Sequence, residues 1–151
     1  CDLSTSIGDH TVVVTTGNGY GSTNTKIRRY SAVQVNTGTA ITYADSAANG
    51  ASFTINETGI YAMTALDLIA SGALQFGISR NSSQLTTAVD SITAADRLAY
   101  TSINTGGNTA ANVSVTRLLM AGYVIRVHAG TGNPDTARAW QSGFTICKVG
   151  L

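Results

Sequence analysis

The sequence predicts an all-β protein built as an antiparallel β-sandwich. About nine short runs of alternating or β-branched residues follow one another at intervals of roughly 8–12 residues, the spacing typical of sandwiches. Turn-forming residues separate these runs, and the chain contains a single proline. With 151 residues, the chain has the size of one domain that buries about two-thirds of its unfolded surface.

The clearest element of the pattern is Gly50–Tyr61. Phe53 and Ile55 alternate with small polar residues, as in a strand with one buried face. Residues 56–59 tolerate the backbone of a reversal, and the apolar run 60–69 follows. We therefore expect a β-hairpin at this point, and a second one at Ser71-Gly72.

The remaining strands are predicted from β-branched or alternating runs, over 10–16, 26–35, 41–43, 74–79, 112–116, 123–128 and 144–149. Residues 17–22 form a glycine-rich loop. Within 85–105 the pattern is ambiguous, and 94–99 is either one helical turn or a strand edge. These elements predict an N-terminal arm and glycine-rich segment over 1–25, followed by a jelly-roll domain over 26–151.

The low content of charged residues indicates a protein that assembles with other chains. Charged residues make up 11% of the chain, against about 25% in an average soluble protein. The formal net charge is +1, and a net charge near zero promotes association. So weak a field gives no attraction for nucleic acid, and no apolar stretch is long enough for a transmembrane helix.

Catalytic, cofactor and metal motifs are absent from the sequence. The glycines of 17–21 are followed by β-prone residues, whereas a dinucleotide loop requires a helix there. His10 and His128 have no Cys, Asp or Glu at metal-ligand spacing. Ser79 lacks the second glycine of a nucleophile elbow. We expect a protein that is not an enzyme and that needs no cofactor or metal.

Two further expectations concern basic and titratable side chains. Lys26, Arg28 and Arg29 are the only cationic cluster, and we expect them to solvate a strand edge. Because His128 alternates with the apolar residues of its strand, it should be exposed or lie at a subunit contact.

The aromatic residues divide into two groups. Trp140, the only tryptophan, stands in a polar loop beside Arg138, so these residues are candidates for ligand contact, together with Tyr20 of the glycine-rich loop. The following are expected in the core or at an oligomer interface: Phe53, Tyr61, Phe76, Tyr123, Ile125 and Phe144.

The two cysteines, Cys1 and Cys147, stand at opposite ends of the chain. Terminal strands of a sandwich often lie side by side, so a disulfide is one expectation in an oxidising compartment. The alternatives are two separate thiols, with Cys147 buried as a small apolar residue, or an acylated terminal Cys1.

The order of turns and core positions resembles the tumour necrosis factor and complement-head superfamily. The motifs that carry this resemblance are Tyr43 followed by Gly50-Ala51-Ser52-Phe53-Thr54 and Gly59-Ile60-Tyr61, then Leu119-Met120-Ala121-Gly122 and the closing Phe144-Thr145-Ile146. Tyr123 stands where the family pattern has Asp. The resemblance covers about residues 26–151, and it implies a jelly-roll β-sandwich that assembles as a homotrimer.

The segment 17–30, placed ahead of such a domain, is similar to segments of phage virion surface proteins. This implies a structural or adhesive protein on a virion, as a head fibre, decoration or tail-fibre head, with loops for receptor or glycan contact. One alternative is a secreted bacterial filament or matrix subunit, whose N-terminal segment adds as a strand to its neighbour. Another alternative is a carbohydrate-binding module. Other virion or filament subunits and surface glycans are the expected partners besides the chain itself.

Overall fold

The computed structural model describes residues 11–17, 19–104 and 108–151. These residues form two packed β-sheets, a two-stranded ribbon and two short 3-10 helices. The strands are β1 (Val12–Thr16), β2 (Gly19–Tyr20), β3 (Arg28–Arg29), β4 (Ala32–Thr37), β5 (Ile41–Ser46), β6 (Gly50–Ile55), β7 (Gly59–Ser71), β8 (Leu74–Arg80), β9 (Arg97–Ile103), β10 (Thr109–Leu119), β11 (Val124–Ala129), β12 (Asn133–Pro134) and β13 (Gly143–Gly150). The 3-10 helices span Ala94–Asp96 and Thr136–Gln141.

Sheet one has the strand order β10-β7-β13-β1-β4, and β12 pairs with the end of β7. Its pairings are antiparallel, as predicted. Strand β1 lies between β13 and β4, so the sandwich begins before residue 26, where the sequence placed its start. The β-branched run Val12–Thr16 supplies this strand because it buries alternate residues against the core.

Sheet two has the strand order β5-β6-β11-β8-β9, again antiparallel throughout. The turn at residues 56–58 therefore carries the chain from sheet two to sheet one, and Gly72 returns it to sheet two. Both turns are where the sequence predicted them, but the predicted hairpins are wrong. β6, β7 and β8 all bury alternate apolar residues against the core. β7 does so from sheet one and β6 and β8 from sheet two, so consecutive strands face each other across the core and do not pair.

The core fills the space between the sheets. Phe144 of sheet one packs edge-on against Phe53 of sheet two, with ring centroids 4.7 Å apart, and Tyr43 lies 5.3 Å from Phe53. Of the six residues predicted for core or interface, Phe53, Tyr61, Phe76, Ile125 and Phe144 are buried, and Tyr123 is half-buried against this cluster.

The predicted strand 26–35 is interrupted. β3 pairs with β2 of the glycine-rich segment, so this segment contains a short strand as well as loop. Tyr30 turns inward and is 1% exposed, and β4 starts at Ala32. The ambiguous segment contains both predicted alternatives in succession, because one 3-10 turn leads directly into β9.

Candidate assembly face and ligand contacts

The outward side of sheet one is a grid of three rows, each crossing five strands in register, which we call the grid face. Its rows are Thr37–Val12–Cys147–Ala62–Thr116, Val35–Val14–Thr145–Thr64–Ser114 and Ala32–Thr16–Gly143–Leu66–Asn112. No Asp, Glu, Lys or Arg occupies any position of this grid. Its side chains are small, β-branched or apolar, and Thr64 and Ser114 share a hydrogen bond of 2.9 Å.

Apolar side chains remain exposed on and beside the grid face. Leu66 is 41% exposed within it, and Leu118 at one end is 55% exposed. Single exposed apolar residues are common on protein surfaces, whereas a whole sheet face without charge is the composition of a buried interface centre. The grid face is therefore the surface best suited to contact with another chain.

Trp140 lies at the rim of the grid face on the 3-10 helix Thr136–Gln141, and 70% of it is exposed. Asp135 caps this helix, because its Oδ1 accepts hydrogen bonds from the backbone N–H groups of Ala137 and Arg138 at 3.1 and 3.2 Å. Beside the indole is an open cavity of about 210 Å³. The cavity is lined by uncharged residues that include Thr16, Thr64, Leu66, Trp140, Gln141 and Ser142.

Arg138 and Tyr20, the other ligand candidates, are engaged within the chain. Arg138 Nε donates to Asp135 Oδ2 at 2.7 Å, so its guanidinium holds the 3-10 helix. The Tyr20 ring lies under the Arg28 guanidinium, 4.3 Å from its carbon, and burial raises the pKa of the phenol. Trp140 alone of the three presents its side chain largely to solvent.

Arg28 is buried, contrary to the predicted solvated edge. It is 0% exposed and pairs with Asp67 of β7, which is 1% exposed. Arg28 Nε donates to Asp67 Oδ2 at 3.0 Å. Burial raises the pKa of the Asp67 carboxyl, and the guanidinium partly offsets that effect. The neighbouring Arg29 does match the prediction, since it is half-exposed in its pair with Asp45.

His128 is also buried, and the expectation of exposure is wrong. Residues 81–93 fold over the outward side of sheet two, and His128 Nε2 lies 2.6 Å from the Thr87 carbonyl oxygen, to which it donates. Its Nδ1 lies 3.4 Å from Ser79 Oγ. This pair has no carboxylate partner and is closed to solvent, with Ser79 1% and His128 0% exposed. It therefore lacks the access and orientation of a catalytic dyad.

We predict that the fold loses stability when the pH falls below about 6.5, the ordinary pKa of histidine. Burial lowers the pKa of His128, so the unfolded chain binds a proton in a pH range where the folded chain does not, and stability falls with the pH there. His128→Gln removes the titrating group, and its unfolding midpoint in denaturant should depend less on pH between 7 and 5. An unchanged pH dependence would contradict this assignment.

Cys1 lies outside the described residues, so its predicted disulfide with Cys147 stays a prediction; Cys147 itself is 2% exposed in β13. His10 also lies outside the described residues. Among those that are described, no group of three or more His, Cys, Asp or Glu could hold a metal ion. No helix in the same ranges is long and apolar enough to cross a membrane.

Comparison with known proteins gives a fold. No protein-family model matches the chain, and a search of curated proteins finds no match. Among solved structures, the crystal structure of murine APRIL at pH 8.0 superposes with a TM-score of 0.67 over 93% of this chain and 100% of that one, at 14% identity. The crystal structure at pH 5.0 gives 0.65 and 12% over the same shares.

The chain has the tumour necrosis factor-like jelly-roll fold. At identities this low the similarity concerns the fold alone. It confirms the jelly-roll prediction and the resemblance drawn from the sequence motifs. Within this tumour necrosis factor-like fold, the grid face is the outward side of sheet one.

Proposed function

We propose that the chain is a non-enzymatic structural or adhesive module that assembles as a homotrimer through the grid face. Its setting is extracellular or on a virion surface, as a phage head fibre, decoration or tail-fibre head. Loops left outside the interface contact a receptor, a glycan or other subunits of the virion. The tumour necrosis factor-like fold supports the proposal of a non-enzymatic, trimeric structural protein. The sequence segment 17–30 motivates the phage setting.

The uncharged grid face is the observation that carries the proposal. Burying a charged side chain removes it from water, and this desolvation costs free energy. The grid face has no charged side chain on its five strands, so covering it with another chain avoids this cost. Charged residues are depleted at the centres of protein interfaces in the same way. Only 11% of the residues are charged and the formal net charge is +1, so copies of the chain repel one another weakly. A second copy of the chain is therefore the proposed partner.

Formaldehyde cross-linking of the purified chain tests whether the assembly is closed. A homotrimer predicts a ladder of one, two and three chains that stops there at every cross-linker concentration. A ladder that continues to high mass would favour the alternative, a filament or matrix subunit. A single band at the monomer position would contradict self-assembly of either kind.

Carbohydrate binding is a second candidate function, favoured by the exposed Trp140 and the uncharged cavity beside it. A flat aromatic face next to hydroxyl and amide groups fits a neutral sugar ring, since such sites combine apolar walls with a few polar groups. We predict that Trp140→Ala weakens saccharide binding by at least about tenfold, which is about 1.4 kcal/mol. Titration calorimetry against a panel of neutral oligosaccharides measures the effect.

Trp140→Phe is the matched control for this prediction, because it keeps an aromatic face on the same 3-10 helix and should retain most of the affinity. A saccharide that binds the unaltered chain and the Trp140→Ala variant equally would place the site elsewhere. If no sugar of the panel binds the unaltered chain, this second candidate function is rejected.

A further inference from the structure

Strand β4 is exposed on both of its faces. Every residue from Ala32 to Asn36 is exposed, including Val33 at 44% and Val35 at 39%. β4 pairs with β1 on one side only, and no other strand among the described residues pairs with it. Among the described residues, Ala32–Asn36 therefore form an edge beside which no further strand lies.

The other three sheet edges carry charge. β10 contains Arg117, β9 contains Arg97, and β5 contains Asp45 in its ion pair with Arg29. Charged side chains on edge strands deter pairing with other chains. β4 has the sequence Ala-Val-Gln-Val-Asn-Thr, with no charge, proline or glycine and with two β-branched valines. Among the four edges of sheet one and sheet two, β4 is the one that lacks this protection.

A β-bulge is the one protective device on β4. The register with β1 shifts between Val14 and Thr15, which leaves Gln34 without an opposite residue. Bulges of this kind twist an edge and shorten the stretch that a partner can pair with. We therefore expect strand addition here to be short and centred on Gln34.

We propose that β4 pairs antiparallel with β4 of a second copy, which joins two copies of sheet one into a continuous sheet. Antiparallel self-pairing about Gln34 places Gln34 opposite its own copy and Val33 opposite Val35. This register brings no like charges together, which would destabilise the pair, and it matches β-branched residues that suit a strand. This contact uses the outer backbone edge of β4, whereas the grid face is the outward side of sheet one, so it links chains beyond the proposed homotrimer.

The contact is short, and this determines how it appears in solution. Six residues span about 20 Å at roughly 3.4 Å per residue, which is small beside the area of a stable interface. We therefore expect a second association step at high protein concentration, after the trimer has formed. Several such contacts between the same two trimers would strengthen one another through effective concentration.

Sedimentation velocity over a concentration series tests the proposal on the full chain. For the unaltered chain we expect the mass to rise from three chains at low concentration towards six. Gln34→Lys, at a position outside the three grid rows, places two like charges opposite each other across the pair and should stop at three. The matched control Ser83→Lys adds the same charge to an exposed loop and should still double.

A charge-reversed variant provides a rescue. Mixing Gln34→Lys with Gln34→Glu should restore the doubling, because opposite charges then face each other across the pair. A mass that stays at three chains, or doubling that survives Gln34→Lys, would overturn β4 pairing and leave the trimer standing. A mass that rises from one chain to two and is blocked by this variant would support β4 pairing and overturn the trimer.

Discussion

Arg28→Ala is expected to lower the free energy of unfolding by about 3–5 kcal/mol, the usual cost of removing one partner of a buried ion pair. Arg28 reaches between the sheets from β3 to Asp67 of β7, and both side chains are almost wholly inaccessible to water. Without the guanidinium, Asp67 either stays charged in an apolar surrounding or takes up a proton. Asp67 Oδ1 already lacks a hydrogen-bond partner among the described residues, which adds to the cost.

Arg29→Ala is the matched control, since Arg29 is the next residue and pairs with Asp45 at the surface. Exposed pairs of this kind contribute about 0–1 kcal/mol, so this variant should remain close to the unaltered chain. Arg28→Met/Asp67→Leu removes both charges together and should recover much of the loss, as apolar replacements of buried pairs often do. Denaturant unfolding at equal chain concentration compares them, and similar losses for Arg28→Ala and Arg29→Ala would contradict the burial.

Thr64→Lys is expected to abolish assembly through the grid face. Thr64 stands in the middle row of the grid and is exposed in the single chain, so lysine at this position should fit without disturbing the fold. In the assembled state the ammonium group would be taken out of water without a carboxylate on the grid to pair with it, a cost of several kcal/mol per subunit. The mass measured by light scattering should fall to that of one chain.

Thr54→Lys is the control for this second prediction. Thr54 lies on β6 at the outward side of sheet two, away from the grid face, and is half-buried there. This variant should keep the mass of the unaltered chain. If Thr64→Lys assembles as well as Thr54→Lys does, the grid face is not the interface and the proposed trimer must form elsewhere.

Local patterns in the sequence predicted the turns of this fold better than its strand pairings. Residues 56–58 do form the expected reversal, although neither Asn56 nor Gly59 adopts a positive φ there. Alternation shows only that a strand has one buried face, and β6 and β7 bury theirs from opposite sheets. The motif resemblance supplied the jelly-roll topology that the alternation of apolar residues left open.

Single charged residues were harder to place. Arg28 and Arg29 are adjacent and chemically identical, yet only one of them points into the core. The signal that could have distinguished them is Asp67, a lone acid inside an otherwise apolar strand, which needs a buried cation as partner. For His128, the covering segment 81–93 comes from a distant part of the chain with no clear periodicity, so strand alternation alone suggested a solvent-facing position.

Among the candidate site residues, the sequence singled out Trp140 because it stands among polar neighbours, and it is largely exposed in the structure. Its position beside the grid face depends on the pairing of β13 with β7 and β1, which no local pattern specifies. The grid face itself became visible only when the registers of five strands were aligned. Each strand alone shows alternating small and apolar residues, which is common to all half-buried strands.

Assembly through the grid face is tested by the solution mass of the unaltered chain at low concentration, measured by light scattering with and without reductant. We expect about three chain masses in both conditions, since the grid face rather than a cysteine holds the chains together. A mass of one chain in both conditions would contradict assembly through the grid face. A trimer that appears only without reductant would attribute it to disulfides instead.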